Sequence, residues 1–180
     1  MNAAKAAGME RVAFVAGPFI DNSRAPRKDT KNRAASLRYF VYQALQGEGW
    51  LVTLGEYKKL TAASDPLLGS QNNAALSEIK HARSKSTDLV VMLPSSPGSF
   101  LELGAFASIE QICQKMVIIV DAQYERHENY MNLGPMKQAK DNGAKVSYQD
   151  YSDHHACFSV VREFGALRLE KRAAREVTQD

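Results

Sequence analysis

The 180-residue sequence predicts an α/β fold, a doubly wound, flavodoxin-like or Rossmann-like sandwich around a five-stranded, mostly parallel sheet. Three observations carry this prediction. Short apolar runs alternate along the chain with segments of helical periodicity. Three of the runs, at 12–16, 88–93 and 116–120, are β-rich almost without interruption, as strands covered on both faces must be. Turn formers, Gly17-Pro18 and Pro94, stop two of them abruptly. Right-handed crossovers then place helices on both faces.

The elements follow in order. Val12-Ala13-Phe14-Val15-Ala16 reads as a buried first strand, and residues 21–33 as a polar, basic loop. Leu37, Phe40, Val41, Ala44 and Leu45 recur at helical spacing, and Gly47 and Gly49 end that helix. Trp50-Leu51-Val52-Thr53 supplies a second strand, and residues 54–70, with Gly55, Pro66 and Gly69, an irregular crossing. Leu76, Ile79 and Ala82 mark a helix over 72–85 that leads to the strand Asp88-Leu89-Val90-Val91-Met92-Leu93. Residues 100–113 read as one helix, apolar on nearly every side, packed on the sheet or against a second copy of the chain. Met116-Val117-Ile118-Ile119-Val120 is a fourth strand. A short helix over 136–142 ends at Gly143, Lys145-Val146-Ser147-Tyr148 is a fifth strand, and a last helix runs from Asp153 into a charged end.

Composition bounds the function. A hydrophobic share of 44% with 24% charged residues is that of a folded globular chain rather than a disordered one. No apolar run nears the roughly 18 residues of a membrane span. Residues 1–11 are interrupted by Lys5 and Glu10 and lack the apolar core of a signal peptide. Cys113 and Cys157 form no C-x-x-C pair, which suits a reducing compartment, so a cytoplasmic home is expected. A net charge of +3 argues against a nucleic-acid partner. With no repeat and no low-complexity linker, residues 1–180 are expected to form a single domain.

One segment carries chemistry. After the strand that opens at Asp88, Pro94-Ser95-Ser96-Pro97-Gly98-Ser99 leads into a helix with Glu102 in its first turn. Ser99 reads as the N-cap and Glu102 as its capping-box partner. The same geometry also has a functional reading. A helix N-terminus at the carboxyl edge of a parallel sheet offers the N–H groups of Gly98, Ser99 and Phe100 to a phosphate or sugar. It also favours an ionised carboxylate, which a carboxylate nucleophile requires.

Gly98-Ser99-x-x-Glu102-Leu103-Gly104, following Asp88-Leu89-Val90-Val91, resembles the G-[ST]-x-x-E-[LI]-G hallmark of the nucleoside 2′-deoxyribosyltransferase superfamily, which includes nucleotide N-glycosidases and bacterial antiphage effectors. Val15-Ala16-Gly17-Pro18-Phe19 is similar to that family's first strand and A-G-P-[YF] turn, and the resemblance spans residues 11–120. It implies that Glu102 attacks the anomeric carbon and expels a nucleobase in a retaining displacement. Gly17, Pro18 and Phe19 would lie beside the base and sugar. Pro97 stands where many transferases carry an aspartate. Ser96 matches the serine with which the nucleotide-hydrolysing branch holds a 5′-phosphate. Glu78 is the nearest match to an acid that assists at the base. The resemblance implies no metal, no cofactor and a nucleoside or nucleotide substrate, and the apolar surface of the helix over 100–113, too large for one covered face, predicts a homodimer or larger.

The other polar groups leave alternatives open. Arg24, Arg27, Lys28, Lys31 and Arg33 form either a loop that closes over a phosphorylated substrate or a solvated charge run. Asp21 and Asn22 either bind ribose hydroxyls or form a turn. Asn132 and Tyr130, after the fourth strand, either complete the site or lead into the next helix. His154-His155 has no metal-ligand spacing, and neither G-x-G-x-x-G nor G-K-[ST] occurs. Competing readings are a phosphoribohydrolase, which would show a P-G-G run where Ser96-Pro97-Gly98 stands, cleavage of the nicotinamide bond of NAD, and a non-catalytic nucleotide-binding module.

Overall fold

The computed structural model describes residues 10–27, 31–55 and 73–177. The expected crossing beyond Gly55, Lys28 of the basic run, and the N-terminal segment to Met9 lie outside the described residues. In chain order the elements are β1 (Val12–Ala16), α1 (Arg33–Gly47), β2 (Leu51–Leu54), α2 (Ala74–Arg83), β3 (Thr87–Met92), α3 (Pro97–Ala107), α4 (Glu110–Cys113), β4 (Met116–Asp121), α5 (Lys137–Asp141), β5 (Lys145–Gln149) and α6 (His154–Val177).

The five strands form one wholly parallel sheet in the order β2-β1-β3-β4-β5. This is the flavodoxin-like order, and it fixes a switch point: the chain leaves β1 towards β2 on one side and returns to β3 on the other. The carboxyl ends of β1 and β3 therefore lie side by side, with Ala16 opposite Met92 and Leu93 N–H donating to Ala16 O at 3.0 Å. Alternation along β1 splits the core in two. Ala13 and Val15 pack with Leu37, Val41 and Val161 beneath α1 and α6. Phe14 and Ala16 pack on the other face with Leu103, Phe106 and Met136. No helix among the described residues is long and apolar enough to cross a membrane.

One expectation about helices is corrected. Residues 100–113 form two helices, not one. Ser108 Oγ donates back to Ala105 O at 2.8 Å as α3 closes. Ile109 then turns extended and redirects α4, so that Ile112 and Cys113 enter the core. Of the apolar side chains that suggested a shared face, Leu103 and Phe106 are buried, Phe100 is partly exposed and Leu101 is 77% exposed. The short helix before β5 is preceded by a wide π-turn, Asn132–Met136, which contains Pro135. Proline has no N–H to close an ordinary helical turn, and the wider turn accommodates that loss.

Two charged side chains inside the core hold the strand ends. Asp88 is buried at the start of β3, where Oδ2 accepts from Val12 N–H at 3.0 Å and Oδ1 pairs with Arg172 at 2.9 Å. Arg38 interrupts the apolar stripe of α1 and is 1% exposed. Its guanidinium donates to Pro18 O at 2.7 Å and to Val15 O at 2.6 Å, clamping the backbone where β1 ends. Arg38→Met fills the space but strips those carbonyls of their donor. Each orphaned buried carbonyl costs about 1–3 kcal/mol, so urea unfolding is expected to show a stability loss of roughly 2–5 kcal/mol. A loss under 1 kcal/mol would show that the clamp does not hold the turn.

Candidate functional site

The crevice at the carboxyl ends of β1 and β3 is built from four segments. The first is the β1 turn. Gly17 adopts φ +154°, and a Cβ there would stand 3.1 Å from both Leu93 Cβ and Leu93 O and 3.2 Å from Arg38 Cδ. Glycine lets the chain leave β1 pressed against the end of β3. Pro18 is buried, whereas Phe19 is 74% exposed and projects into a hollow of about 330 Å³ that it shares with Ile20, Asp21, Arg24 and Arg27.

The second segment is the loop into α3, and it departs from the expected cap. Ser96, not Ser99, is the N-cap, Pro97 occupies the first turn, and Ser99 is the reciprocal partner in the capping box. Pro97 is pre-organised for the first helical position, which moves the helix start upstream. Ser99 is buried: its hydroxyl accepts from Ser95 N–H at 2.9 Å and Ser96 N–H at 2.8 Å, and donates to Ser96 O at 2.9 Å. Ser99 N–H donates to Ser96 Oγ at 3.3 Å and Phe100 N–H to Ser96 O at 3.0 Å. Of the three N–H groups expected to face a ligand, two are thus taken up inside the turn. That of Gly98 remains at the helix mouth, on an exposed residue.

Glu102 lies one turn further along α3, with Oε2 buried. It is therefore inside the helix rather than at its cap, and capping does not account for its position. The third and fourth segments bring its neighbours. Glu78, on α2, is only 9% exposed. At the end of β2, a Cβ on Gly55 would overlap Glu78 Oε1 and stand 3.8 Å from Glu102 Oε1. Two carboxyl groups from different helices and the side-chain-free face of Gly55 thus converge on one small volume. The sequence expectations paired Glu102 with Glu78; the structure brings them together. His81, one turn beyond Glu78, places Nε2 2.7 Å from Thr53 Oγ1 and its ring edge-on to Phe14. Burial, seconded by the charge of Lys115, lowers its pKa.

Other expected site residues have structural partners. Asp21 is exposed and accepts from Ser23 N–H at 2.9 Å and Ser23 Oγ at 2.6 Å; these bonds lower its pKa and make it a turn former. Asn132 donates its amide hydrogens to Tyr124 O and His127 O, both at 2.7 Å, and accepts from Tyr148 OH at 3.1 Å. It ties the loop after β4 to β5. Tyr130 is 86% exposed. His154 and His155 pack their rings against Phe40, with centroids 5.2 and 5.1 Å away. From the basic run, Arg33 pairs with Asp121 at 3.1 Å and Asp150 at 3.5 Å, which ties the start of α1 to the ends of β4 and β5.

Sequence reasoning passed over two residues of the crevice. Gly55 read as a loop glycine, and nothing local marks it as the wall behind two carboxyl groups. Arg38 did carry a signal, a lone cation between Leu37 and Val41 on a buried stripe. Gly55→Ala puts a methyl group where the Glu78 carboxylate lies, and the flexible tip of Glu78 can yield. Melting temperature is therefore expected to change by only a few degrees, while any reaction that uses the pair falls at least tenfold. Unaltered turnover would show that the Glu78 position does not matter.

The chain is 30% identical over 110 residues to the "Retron Ec86 putative ribosyltransferase/DNA-binding protein" of Escherichia coli, a match covering 60% of this chain and 36% of the relative. It is 31% identical over 78 residues to the "Retron Ec73 putative ribosyltransferase/DNA-binding protein" of the same organism, covering 41% of this chain and 25% of the relative. The matches thus span well under half the length of either relative. The family model described as STM3845 retron effector protein matches residues 35–177, which include most of α1, Gly55, Glu78 and Glu102. By that match the chain belongs to the STM3845 retron effector protein family.

Proposed function

We propose that this chain cleaves the N-glycosidic bond of a nucleoside or nucleotide, with Glu102 as nucleophile and Glu78 as general acid, in the manner of the deoxyribosyltransferase-like enzymes its motifs resemble. The observation that carries this reading is the convergence of Glu78 and Glu102 against Gly55 at the switch point of a parallel sheet. A paired nucleophile and acid is what a retaining displacement at an anomeric carbon requires. The word ribosyltransferase in the names of both relatives supports the same class of chemistry, and membership of a retron effector family supports a role in antiphage defence.

In the first step a Glu102 carboxylate oxygen bonds to C1′ and the C1′–N bond breaks. The electron pair leaves with the base, and Glu78 supplies the proton the base nitrogen needs. In the second step water, or a second base, attacks C1′ from the vacated side and surrenders a proton to Glu78 as the ester to Glu102 breaks. With water the net change is nucleoside plus water to free sugar plus base. In this reading Gly17 and Pro18, at the carboxyl end of β1, would lie beside the base and sugar, and Phe19 offers an exposed ring for a base to stack on. A 5′-phosphate would meet the Gly98 N–H at the mouth of α3, beside Ser96.

The test is base release by the purified chain on a panel of nucleosides, nucleoside monophosphates and NAD, followed by chromatography. Glu102→Gln keeps the shape and removes the charge; release is expected to fall roughly a thousandfold or more with little change in stability. Glu78→Gln is expected to slow substrates with poor leaving groups most. Base release at a near-normal rate by Glu102→Gln would overturn the reading.

A further inference from the structure

The meeting of Glu78 with Glu102 requires α2 to be held at one height and one rotation on the sheet, and its apolar packing is thin. Of its 10 residues Glu78 and Ala82 are buried, and Ile79 packs partly on the core. An alanine methyl group buries little surface. His81, one turn beyond Glu78 and its neighbour on the helix surface, makes contacts with three adjacent strands. On β2, Thr53 Oγ1 lies 2.7 Å from the imidazole Nε2. On β1, the Phe14 ring meets the imidazole edge-on, with centroids 5.3 Å apart. On β3, Thr87 Oγ1 donates to the His81 carbonyl at 2.8 Å.

The second carboxyl group is referenced to the same point. Phe106 stands one turn beyond Glu102 on α3, and its ring centroid is 6.2 Å from that of Phe14. Both helices thus rest on one fully buried ring, each through the residue a turn beyond its glutamate. Thr53 in turn lies two residues before Gly55, so its bond to His81 is made on the strand whose end backs the pair.

We propose that His81 is a positioning residue, bonded to Thr53 so that α2 presents the Glu78 carboxyl group to Glu102. The proposal rests on the reading of Glu78 as general acid. Such an acid must come within hydrogen-bond reach of the atom it protonates, and a misplacement of about 1 Å costs roughly a hundredfold in rate. Without the Thr53 bond, the end of α2 keeps its tie to Thr87, but its buried face can shift over β2 and carry Glu78 with it.

The experiment pairs kinetics with a titration, both on the intact chain. Thr53→Val keeps a β-branched residue in β2 and removes the hydroxyl. His81→Phe keeps a ring against Phe14 and removes Nε2. Each is expected to lower kcat for base release about tenfold or more with KM within about twofold, and the double variant to be no worse than either. Thr53→Ser, which keeps the hydroxyl, is expected to retain most of the rate. Carbon-13 labels on the glutamate carboxyl groups then follow the protonation of Glu78 whether or not base is released. Glu102→Gln removes a like charge, so it is expected to lower the Glu78 midpoint in the otherwise native chain and to leave it nearly unmoved alongside Thr53→Val. An undiminished shift in Thr53→Val, no shift in the native chain, or native turnover by Thr53→Val would each overturn the proposal. A native chain that releases no base would instead overturn the glycosidase reading, and the titration would still decide whether Thr53 and His81 place Glu78.

Discussion

The Arg38 guanidinium, buried in the middle of α1, is the constraint on which the crevice depends. It takes up the carbonyls of Val15 and Pro18 and so fixes the direction in which the chain leaves β1. Gly17 must then lie against Leu93, the residue after β3, with no room for a side chain. A cation inside an apolar layer is costly unless it is hydrogen-bonded, and here its two terminal nitrogens bond to the segment at the end of β1. The same side chain thus serves the fold and the geometry of the crevice floor.

From that floor the remaining geometry follows by topology. The crossover after β1 carries the chain to β2 on one flank and ends at Gly55. The crossover after β2 returns through α2, with Glu78 on its buried face, to β3. The turn after β3 opens α3 one turn ahead of Glu102. Three positions far apart in sequence meet because parallel strands place all their carboxyl ends on one edge.

Much of the architecture was legible in the sequence because buried parallel strands leave a plain signature: residues 88–93 and 116–120 admit few other readings. Glu102 was legible through its motif and Glu78 only through family likeness. What escaped has physical reasons. The break at Ser108 and Ile109 depends on a side-chain bond back to Ala105 that apolar periodicity does not reveal. The shift of the cap from Ser99 to Ser96 follows from Pro97, whose fixed φ suits the first helical turn and not the loop before it. The place of Gly55 is a tertiary fact, because a missing side chain matters only for what crosses behind it.

The central claim is that the carboxylate of Glu102 bonds to an anomeric carbon. It is tested most directly by trapping that bond. A 2′-fluorinated nucleoside monophosphate destabilises the positively charged transition state and slows the second displacement, so the intermediate should accumulate. Peptide mass spectrometry of the intact chain after incubation is expected to find the fluorinated sugar phosphate on the peptide that contains Glu102, and to find none on Glu102→Gln. Sugar attached at any other residue, or rapid base release with no adduct on Glu102, would contradict the account.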